Sequence, residues 1–306
     1  MIKLLHKQGL ENGLLVDRAF PVKNVFSVDV EDYFQVTAFE NLHCRNDWSR
    51  FESRVFNNTM RLIELLEKHD KKGIFFVLGC VAEKFPRLVE LISVAGHEIG
   101  SHSHMHRLVH QMSPDEFRED VRKSKDAIES IIQKPVTSFR APTFSIVRES
   151  FWALDILVQE GFTVDSSIFP SRHVRNGVSD FLPAVQRVDT EFGAITEFPM
   201  PVVSWMGRTI PAGGGGYFRL YPYWLTQRFI RQLNSAGRPF MFYVHPWEVD
   251  PDQPRVKGAS RSARFKHYVN LESTMGKLDR LLSDFEFTSL ADCLQSIQPK
   301  DQAAWG

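Results

Sequence analysis

The feature that most constrains the fold is a regular alternation of apolar runs and amphipathic segments over residues 25–165. The apolar runs have the length of buried strands, and each is followed by a stretch with helical periodicity. The predicted strands are residues 25–30, 73–78, 97–100, 136–139 and 162–164, and the predicted helices are residues 57–69, 81–95, 113–133 and 148–159. Strands that alternate with helices at this spacing indicate a parallel sheet covered by helices.

The pattern becomes irregular after Asp165. Residues 166–216 are rich in turns and proline, and the four glycines at 213–216 lack the Lys-Ser/Thr pair of a phosphate-binding loop. Helices are then predicted at 221–236, 266–285 and 291–297, and strands at 240–244 and 287–290. A count of about seven strands favours an α/β fold with barrel-like closure over an open sheet. We expect one domain over residues 20–297.

Composition excludes several classes of function. The 37 basic residues balance the 37 acidic ones, so no basic surplus points to nucleic acid or to an anionic membrane. The three cysteines are far apart and form no CxxC pair, which argues against a zinc-thiolate site or a disulfide framework. The chain has no apolar run long enough to span a membrane, and residues 1–20 lack the apolar core of a signal peptide. These patterns predict a cytoplasmic protein.

Polar side chains that could take part in catalysis or metal binding follow four of the predicted strands. They are the acidic run at residues 29–32, the histidine cluster at residues 102–106, Arg140 and His245. In a parallel α/β array, functional groups gather at the carboxyl ends of the strands. We therefore expect these groups to lie on one rim of the barrel.

The histidine cluster and the acidic run together suggest a metal site. His102 and His106 are four residues apart, so both rings can reach one metal ion if the segment is a helical turn. Three neighbouring acids would repel one another if buried, so a cation must neutralise at least one, and a free carboxylate can act as a base. Arg140, with apolar neighbours, is expected to pair with a carboxylate, and His245 is a candidate general acid. This combination favours metal-assisted hydrolysis.

Several motifs resemble those of the polysaccharide deacetylases, the NodB-homology group or carbohydrate esterase family 4. Residues 96–106 read GHEIGSHSHMH, which is similar to the second motif of that family. Residues 139–142 (FRAP) and 242–245 (FYVH) are similar to its third and fifth motifs. Residues 214–219 (GGGYFR) and 245–248 (HPWE) resemble a branch tied to exopolysaccharide gene clusters of the exosortase type, with a C-terminal part of the DUF3473 type at about 200–297.

The resemblance implies a distorted (β/α) barrel and a divalent metal, usually zinc, held by one aspartate and two histidines. It also implies that a water on the metal attacks an N-acetyl carbonyl of an N-acetylated oligo- or polysaccharide. By position, His102 and His106 are the metal ligands, and Asp29 is the base that Arg140 orients. His245 protonates the leaving amine, and Asp165 falls where the family often has an acid that tunes this histidine.

The first motif departs from the family pattern. Most members have two adjacent aspartates, whereas residues 29–32 read DVED. Asp32 is preferred as the metal ligand because the metal acid of the family is aspartate, and Glu31 is the alternative. An exchange in which Glu31 acts as the base is also open.

Two other functions are compatible with the same motifs. The scaffold can hydrolyse a small cyclic amide, as allantoinase-like relatives do, or it can be a carbohydrate-binding relative without activity. A long groove would favour the polysaccharide, and a closed pocket the small amide. The sugar, the chain length and the oligomeric state stay open at this level.

Overall fold

A computed structural model describes residues 22–171 and 176–301. Residues 1–20, on which the signal-peptide argument depends, and the start of the expected 20–297 domain lie outside the described residues. No helix within the described ranges combines the length and the apolar composition needed to cross a membrane.

Nine strands in the described part of the chain form one sheet, and two more form a separate hairpin. The strands are β1 (Asn24–Val30), β2 (Ile74–Val77), β3 (Glu98–Ser101), β4 (Ser138–Phe139), β5 (Val164–Asp165), β6 (Gln186–Thr190), β7 (Gly193–Glu197), β8 (Val202–Trp205), β9 (Arg208–Pro211), β10 (Met241–Val244) and β11 (Phe287–Thr288). The order is β10-β1-β2-β3-β4-β5-β7-β6, and β11 pairs with β1. The seven strands from β10 to β7 run parallel, whereas β6 is antiparallel to β7.

The sheet closes through the β8–β9 hairpin. Beyond β10, the N–H of Tyr243 donates to the carbonyl of Gly213 at 2.8 Å. Gly213 follows β9, and β8 follows directly from the end of β7. The carbonyl of Pro201, just before β8, accepts a hydrogen bond from Ala212 at 3.0 Å. The expected α/β fold, a distorted barrel of about seven parallel strands, is confirmed.

Helices cover the outside of this sheet. They are α1 (Val55–Lys68), α2 (Gly79–Lys84), α3 (Pro86–Val94), α4 (Pro114–Ile132), α5 (Trp152–Gln159), α6 (Gly215–Leu220), α7 (Tyr223–Ser235), α8 (Arg261–Tyr268), α9 (Thr274–Asp284) and α10 (Leu290–Asp301). Helix α4 begins as its sequence indicates, because Ser113 and Glu116 form a reciprocal capping box.

Two predicted helices are broken in the structure. The helix expected at 81–95 is two helices, α2 and α3, because Pro86 has no N–H to continue the first and begins the second. The helix expected at 266–285 is likewise divided. Helix α8 ends at Tyr268, Asn270 adopts a left-handed conformation with φ of 53°, and α9 starts at Thr274.

Each long strand buries both of its faces, in two different cores. In β1, Phe26 and Val28 pack against the helices, whereas Val25 faces the barrel interior with Phe76 of β2 and Met241 of β10. This alternation follows from the two-residue period of a strand. Polar residues on the interior face of β1 therefore point into the barrel.

Candidate functional site

The carboxyl ends of the parallel strands surround a cavity of about 290 Å³. Its polar lining includes Asp29, Glu31, His102, His106 and His245. The structure thus brings the candidate groups from β1, β3 and β10 to one rim. Arg140, at the end of β4, lies beneath them.

Glu31, His102 and His106 form a group that fits one metal ion. One ligand atom from each lies within 4.8 Å of those of the other two. His102 Nδ1 lies 2.8 Å from the carbonyl oxygen of Arg140, so this nitrogen donates and Nε2 is left as the acceptor. The connecting segment is not a helical turn, since Ser103 and His106 have φ of 67° and 51°. The two rings are brought together by a loop in which these two residues have left-handed backbone conformations.

The carboxylate of Glu31 has an unusual environment. Its Oε2 lies 2.8 Å from Nε2 of His106, yet this approach lacks hydrogen-bond geometry, and the atom is buried without a partner. Burial raises the pKa of Glu31, but the nearby His106 and His245 outweigh it and lower that pKa to about 2. Burial also lowers the pKa of His102 to about 4, which keeps this ring neutral as a ligand must be. One carboxylate and two imidazoles are a donor set that suits zinc.

The structure differs from the sequence interpretation at the metal acid. The side chain of Asp32, the preferred ligand, accepts hydrogen bonds from the hydroxyl of Ser53 and the N–H of Arg54. It does not belong to the group of three ligand atoms, which contains Glu31 instead. Strand β1 ends at Val30, and the N–H of Glu31 turns back to donate to the carbonyl of Asp29 at 3.0 Å, so Glu31 lies at the cavity while Asp32 contacts the residues before α1. Asp32 holds the chain that enters α1.

Asp29 is fixed by a buried arginine. Arg140 is fully buried, and its Nη1 donates to Oδ1 of Asp29 at 2.7 Å and to the hydroxyl of Ser27 at 2.8 Å. The guanidinium also lies over the ring of Phe76, 4.3 Å from its centroid. The second oxygen of Asp29 lies 3.9 Å from Nε2 of His245. Asp29 is thereby held in one orientation with one oxygen on the cavity side.

His245, which follows β10, also lines the cavity. Its Nε2 is 3.6 Å from Oε1 of Glu31, and its Nδ1 is 2.7 Å from Oε1 of Glu248. Burial lowers the pKa of His245, but the charges of Glu31 and Glu248 prevail and raise it to about 9. The ring stacks on Trp247 at a centroid distance of 5.1 Å.

Sequence reasoning missed the partner of this histidine. Glu248 holds the ring of His245, whereas Asp165 lies opposite Glu197 in the β5–β7 pair and accepts a hydrogen bond from Ser167. Burial raises the pKa of Asp165 to about 6. The signal for Glu248 was present, because an acid three residues after His245 and behind Pro246 has capping-box spacing.

Five aromatic side chains form half of the remaining lining of the cavity. They are Phe144, Phe169, Tyr217, Tyr243 and Trp247. Such rings provide flat apolar surfaces, and the tyrosine and tryptophan rings add a polar edge. The cavity therefore combines ionisable groups on one side with faces that can stack on a ring.

Two family models match the chain. A model described as polysaccharide deacetylase matches residues 48–162, and a model described as a domain of unknown function, DUF3473, matches residues 166–295. His102, His106 and Arg140 lie in the first region and His245 in the second, whereas Asp29 and Glu31 precede both.

Curated relatives of the chain include bacterial deacetylases. It is similar to a peptidoglycan-N-acetylglucosamine deacetylase of Bacillus cereus, with 27% identity over 120 residues, or 35% of this chain and 44% of that protein. It is also similar to a peptidoglycan deacetylase of Helicobacter pylori, with 26% identity over 146 residues, or 48% of this chain and 46% of that protein. The chain spans less than half the length of both relatives.

Solved structures with the same fold cover most of the chain. A suspected polysaccharide deacetylase from Mycobacterium smegmatis has a TM-score of 0.59 at 16% identity and covers 92% of each chain. A peptidoglycan N-acetylglucosamine deacetylase has a TM-score of 0.50 at 15% identity, over 90% of this chain and 89% of that one. At these identities the likeness establishes the fold.

Proposed function

We propose that this chain, which belongs to the polysaccharide deacetylase family through residues 48–162, removes N-acetyl groups from sugars of an exopolysaccharide or its precursor. The observation that carries the proposal is the convergence of Glu31, His102 and His106 beside Asp29 in one cavity. A metal-binding group next to a separate buried carboxylate is the arrangement that hydrolysis of an amide needs.

The three ligand residues support a divalent metal, with zinc as the first choice. Glu31 would contribute its buried Oε2, which has no hydrogen-bond partner, and His102 and His106 one ring nitrogen each. The chemistry that zinc supplies in such sites is activation of a water molecule near neutral pH and polarisation of a carbonyl.

The other residues handle the protons. Asp29 accepts the proton that the attacking water loses. Arg140 holds the carboxylate of Asp29 in the orientation that faces the cavity. His245, whose Nε2 lies 3.6 Å from Glu31 and 3.9 Å from Asp29, donates a proton to the departing nitrogen. Thr143 lines the cavity with a φ of 55°, and we assign its backbone N–H to the carbonyl oxygen that gains charge.

The cavity supports an N-acetylated sugar as the substrate. Its volume of about 290 Å³ is near the lower end of the range of small-molecule sites, which suits one sugar ring with its acetamido group. The ring of Tyr217, which lines the cavity, suits stacking on that sugar ring. The same small volume also favours a second candidate, a compact cyclic amide, which the experiment must therefore include.

The test is acetate release by the purified protein together with its metal content. Chitin oligomers of several lengths serve as substrates, and allantoin serves as the competing cyclic amide. We expect bound zinc and acetate release from the oligomers. His102→Ala should lose both, whereas Asp29→Asn should keep zinc and lose about 10²–10⁴-fold in kcat. Ring opening of allantoin without acetate release, or the absence of both reactions, would reject the proposal.

A further inference from the structure

The DUF3473 region, residues 166–295, contributes a chain of buried charged contacts that ends at the cavity. Glu248 is fully buried, and its Oε1 accepts hydrogen bonds from Nδ1 of His245 at 2.7 Å and from the backbone N–H of His245 at 3.1 Å. A carboxylate can only accept, so Nδ1 carries the proton. The other ring nitrogen, Nε2, then faces Glu31 and Asp29.

The second oxygen of Glu248 is held by Arg219. The Nε of this buried arginine donates to Oε2 of Glu248 at 2.7 Å. Its two terminal nitrogens donate to the carbonyls of Lys266, His267 and Val269 at 2.7–2.9 Å. These carbonyls lie at the end of α8, where the helix dipole favours a cation. Arg219 is thus fixed from two sides and can hold Glu248 in one position.

The neighbouring tryptophan reinforces this arrangement. Trp247 stacks between His245 and His267, with centroid distances of 5.1 Å and 4.1 Å. Its Nε1 donates to Oε1 of Glu31 at 3.2 Å. The segment that fixes His245 therefore also contacts the acid of the proposed metal site.

We propose that the DUF3473 region supplies the positioning apparatus of the proton donor, in which Arg219 holds Glu248 and Glu248 holds His245 with Nε2 directed at the leaving nitrogen. Arg219 and Glu248 are positioning residues, because they touch the reacting atoms only through His245. The role rests on the proposed function. It assigns the two regions different tasks, since the metal-binding histidines and Arg140 come from residues 48–162.

The first test compares two leaving groups. Departure of a sugar amine needs a proton, whereas p-nitrophenolate leaves from p-nitrophenyl acetate without one. Glu248→Gln should lower kcat for an N-acetylated chitin oligomer by about 10–100-fold with little change in KM. Hydrolysis of p-nitrophenyl acetate should stay within a few fold of wild type. Equal losses on both substrates, or no loss on the oligomer, would overturn the proposal.

A matched control is Glu197→Gln. Glu197 is another fully buried acid of the same region, and burial together with the nearby Asp165 raises its pKa well above the usual range. A neutral glutamine is therefore a close replacement, and both activities should be retained. In Glu248→Gln the buried charge of Arg219 loses its counter-charge, which can prevent the protein from folding. The double variant Arg219→Met/Glu248→Gln removes both charges. The double variant should also lose activity on the chitin oligomer and keep hydrolysis of p-nitrophenyl acetate. A double variant without this difference between the two substrates counts against the proposal.

The second test does not depend on activity. In protein with ¹⁵N-labelled histidine, Nδ1–H of His245 should give a downfield proton signal, assigned by its loss in His245→Gln. Glu248→Gln should move this signal upfield, because an amide oxygen is a weaker acceptor than a carboxylate. An unchanged signal would reject the contact. Wild-type protein that shows the signal but never releases acetate would reject the proposed function while the contact stands.

Discussion

At the scale of single residues, the turn that ends β1 decides which acid reaches the site, because the N–H of Glu31 donates to the carbonyl of Asp29 at 3.0 Å. Ser27 and Asp29 both bond Arg140 inside the barrel, and Glu31 lies beyond the strand at the cavity. Asp32 bonds Ser53 and Arg54 instead. The sequence interpretation weighed residue type above chain geometry and preferred Asp32 for that reason.

Two variants test whether Glu31 or Asp32 is the metal ligand. Glu31→Gln should reduce zinc affinity by more than about 100-fold, since loss of a mere partner of a ligand already costs 10–100-fold. Asp32→Asn should keep zinc and lose about 1–2 kcal/mol of unfolding free energy, because a charge-assisted hydrogen bond is weakened. Metal analysis after dialysis and urea unfolding measure the two effects. Loss of zinc in Asp32→Asn alone would return the ligand role to Asp32.

His97 predicts how stability depends on pH. Burial lowers the pKa of this histidine to about 4, below the value of about 6.5 in an unfolded chain. The unfolded state therefore takes up the proton first, and stability falls as the pH drops from about 6.5 to about 4. His97→Gln should remove up to about 3 kcal/mol of this loss. Urea unfolding at several pH values measures it, and an identical slope in the variant would contradict the prediction.

At the scale of elements, the closure between β9 and β10 depends on a close backbone approach. Gly214 has a φ of 134°, and a Cβ on this residue would lie 2.1 Å from the carbonyl oxygen of Tyr243. The backbone of β10 cannot move away without breaking its register with β1. A glycine is therefore required where the sheet closes.

Two alanine variants separate this crowding from the cost of a positive φ. Gly214→Ala should lower the free energy of unfolding by at least about 3 kcal/mol. Gly207→Ala, at the β8–β9 turn, also has a positive φ but open space around it, and should cost about 1–2 kcal/mol. Urea unfolding measures both. Equal losses of unfolding free energy in the two variants would show that a methyl group fits between residue 214 and β10.

At the scale of the whole molecule, the two family regions share one sheet. Strand β1 is paired with β10 on one side and with β2 and β11 on the other. Strands β10 and β11 belong to residues 166–295, whereas β2 belongs to residues 48–162. The prediction of a single domain over residues 20–297 is consistent with this pairing.

A truncated chain tests that prediction. Residues 22–165 contain β1 to β5 but lack β10 and β11, so one side of β1 would lose its partner β10, and the start of its other side would lose β11. We expect no cooperative unfolding transition and strong aggregation. The protein of residues 22–301 serves as the control. A sharp thermal transition in the short chain would show that the first region is a domain by itself.

The features that depend on local sequence patterns could be predicted from the sequence. Buried runs such as Val25 to Val30, the capping box of Ser113 and the placement of His102 and His245 after strands all follow from local patterns. The contacts of Arg219 could not be predicted, because they join three segments distant in the sequence. The break at Pro86 was predictable from the missing N–H of proline but was outweighed by the apolar periodicity around it.

The pairing of β1 with β10 has a consequence for biosynthesis. Asp29 and Glu31 emerge from the ribosome early, but the strand that flanks them begins only at Met241. Synthesis at about 5–20 residues per second leaves that edge open for many seconds. We therefore expect a nascent chain to need chaperone protection, and a fragment that ends before β10 to aggregate without activity.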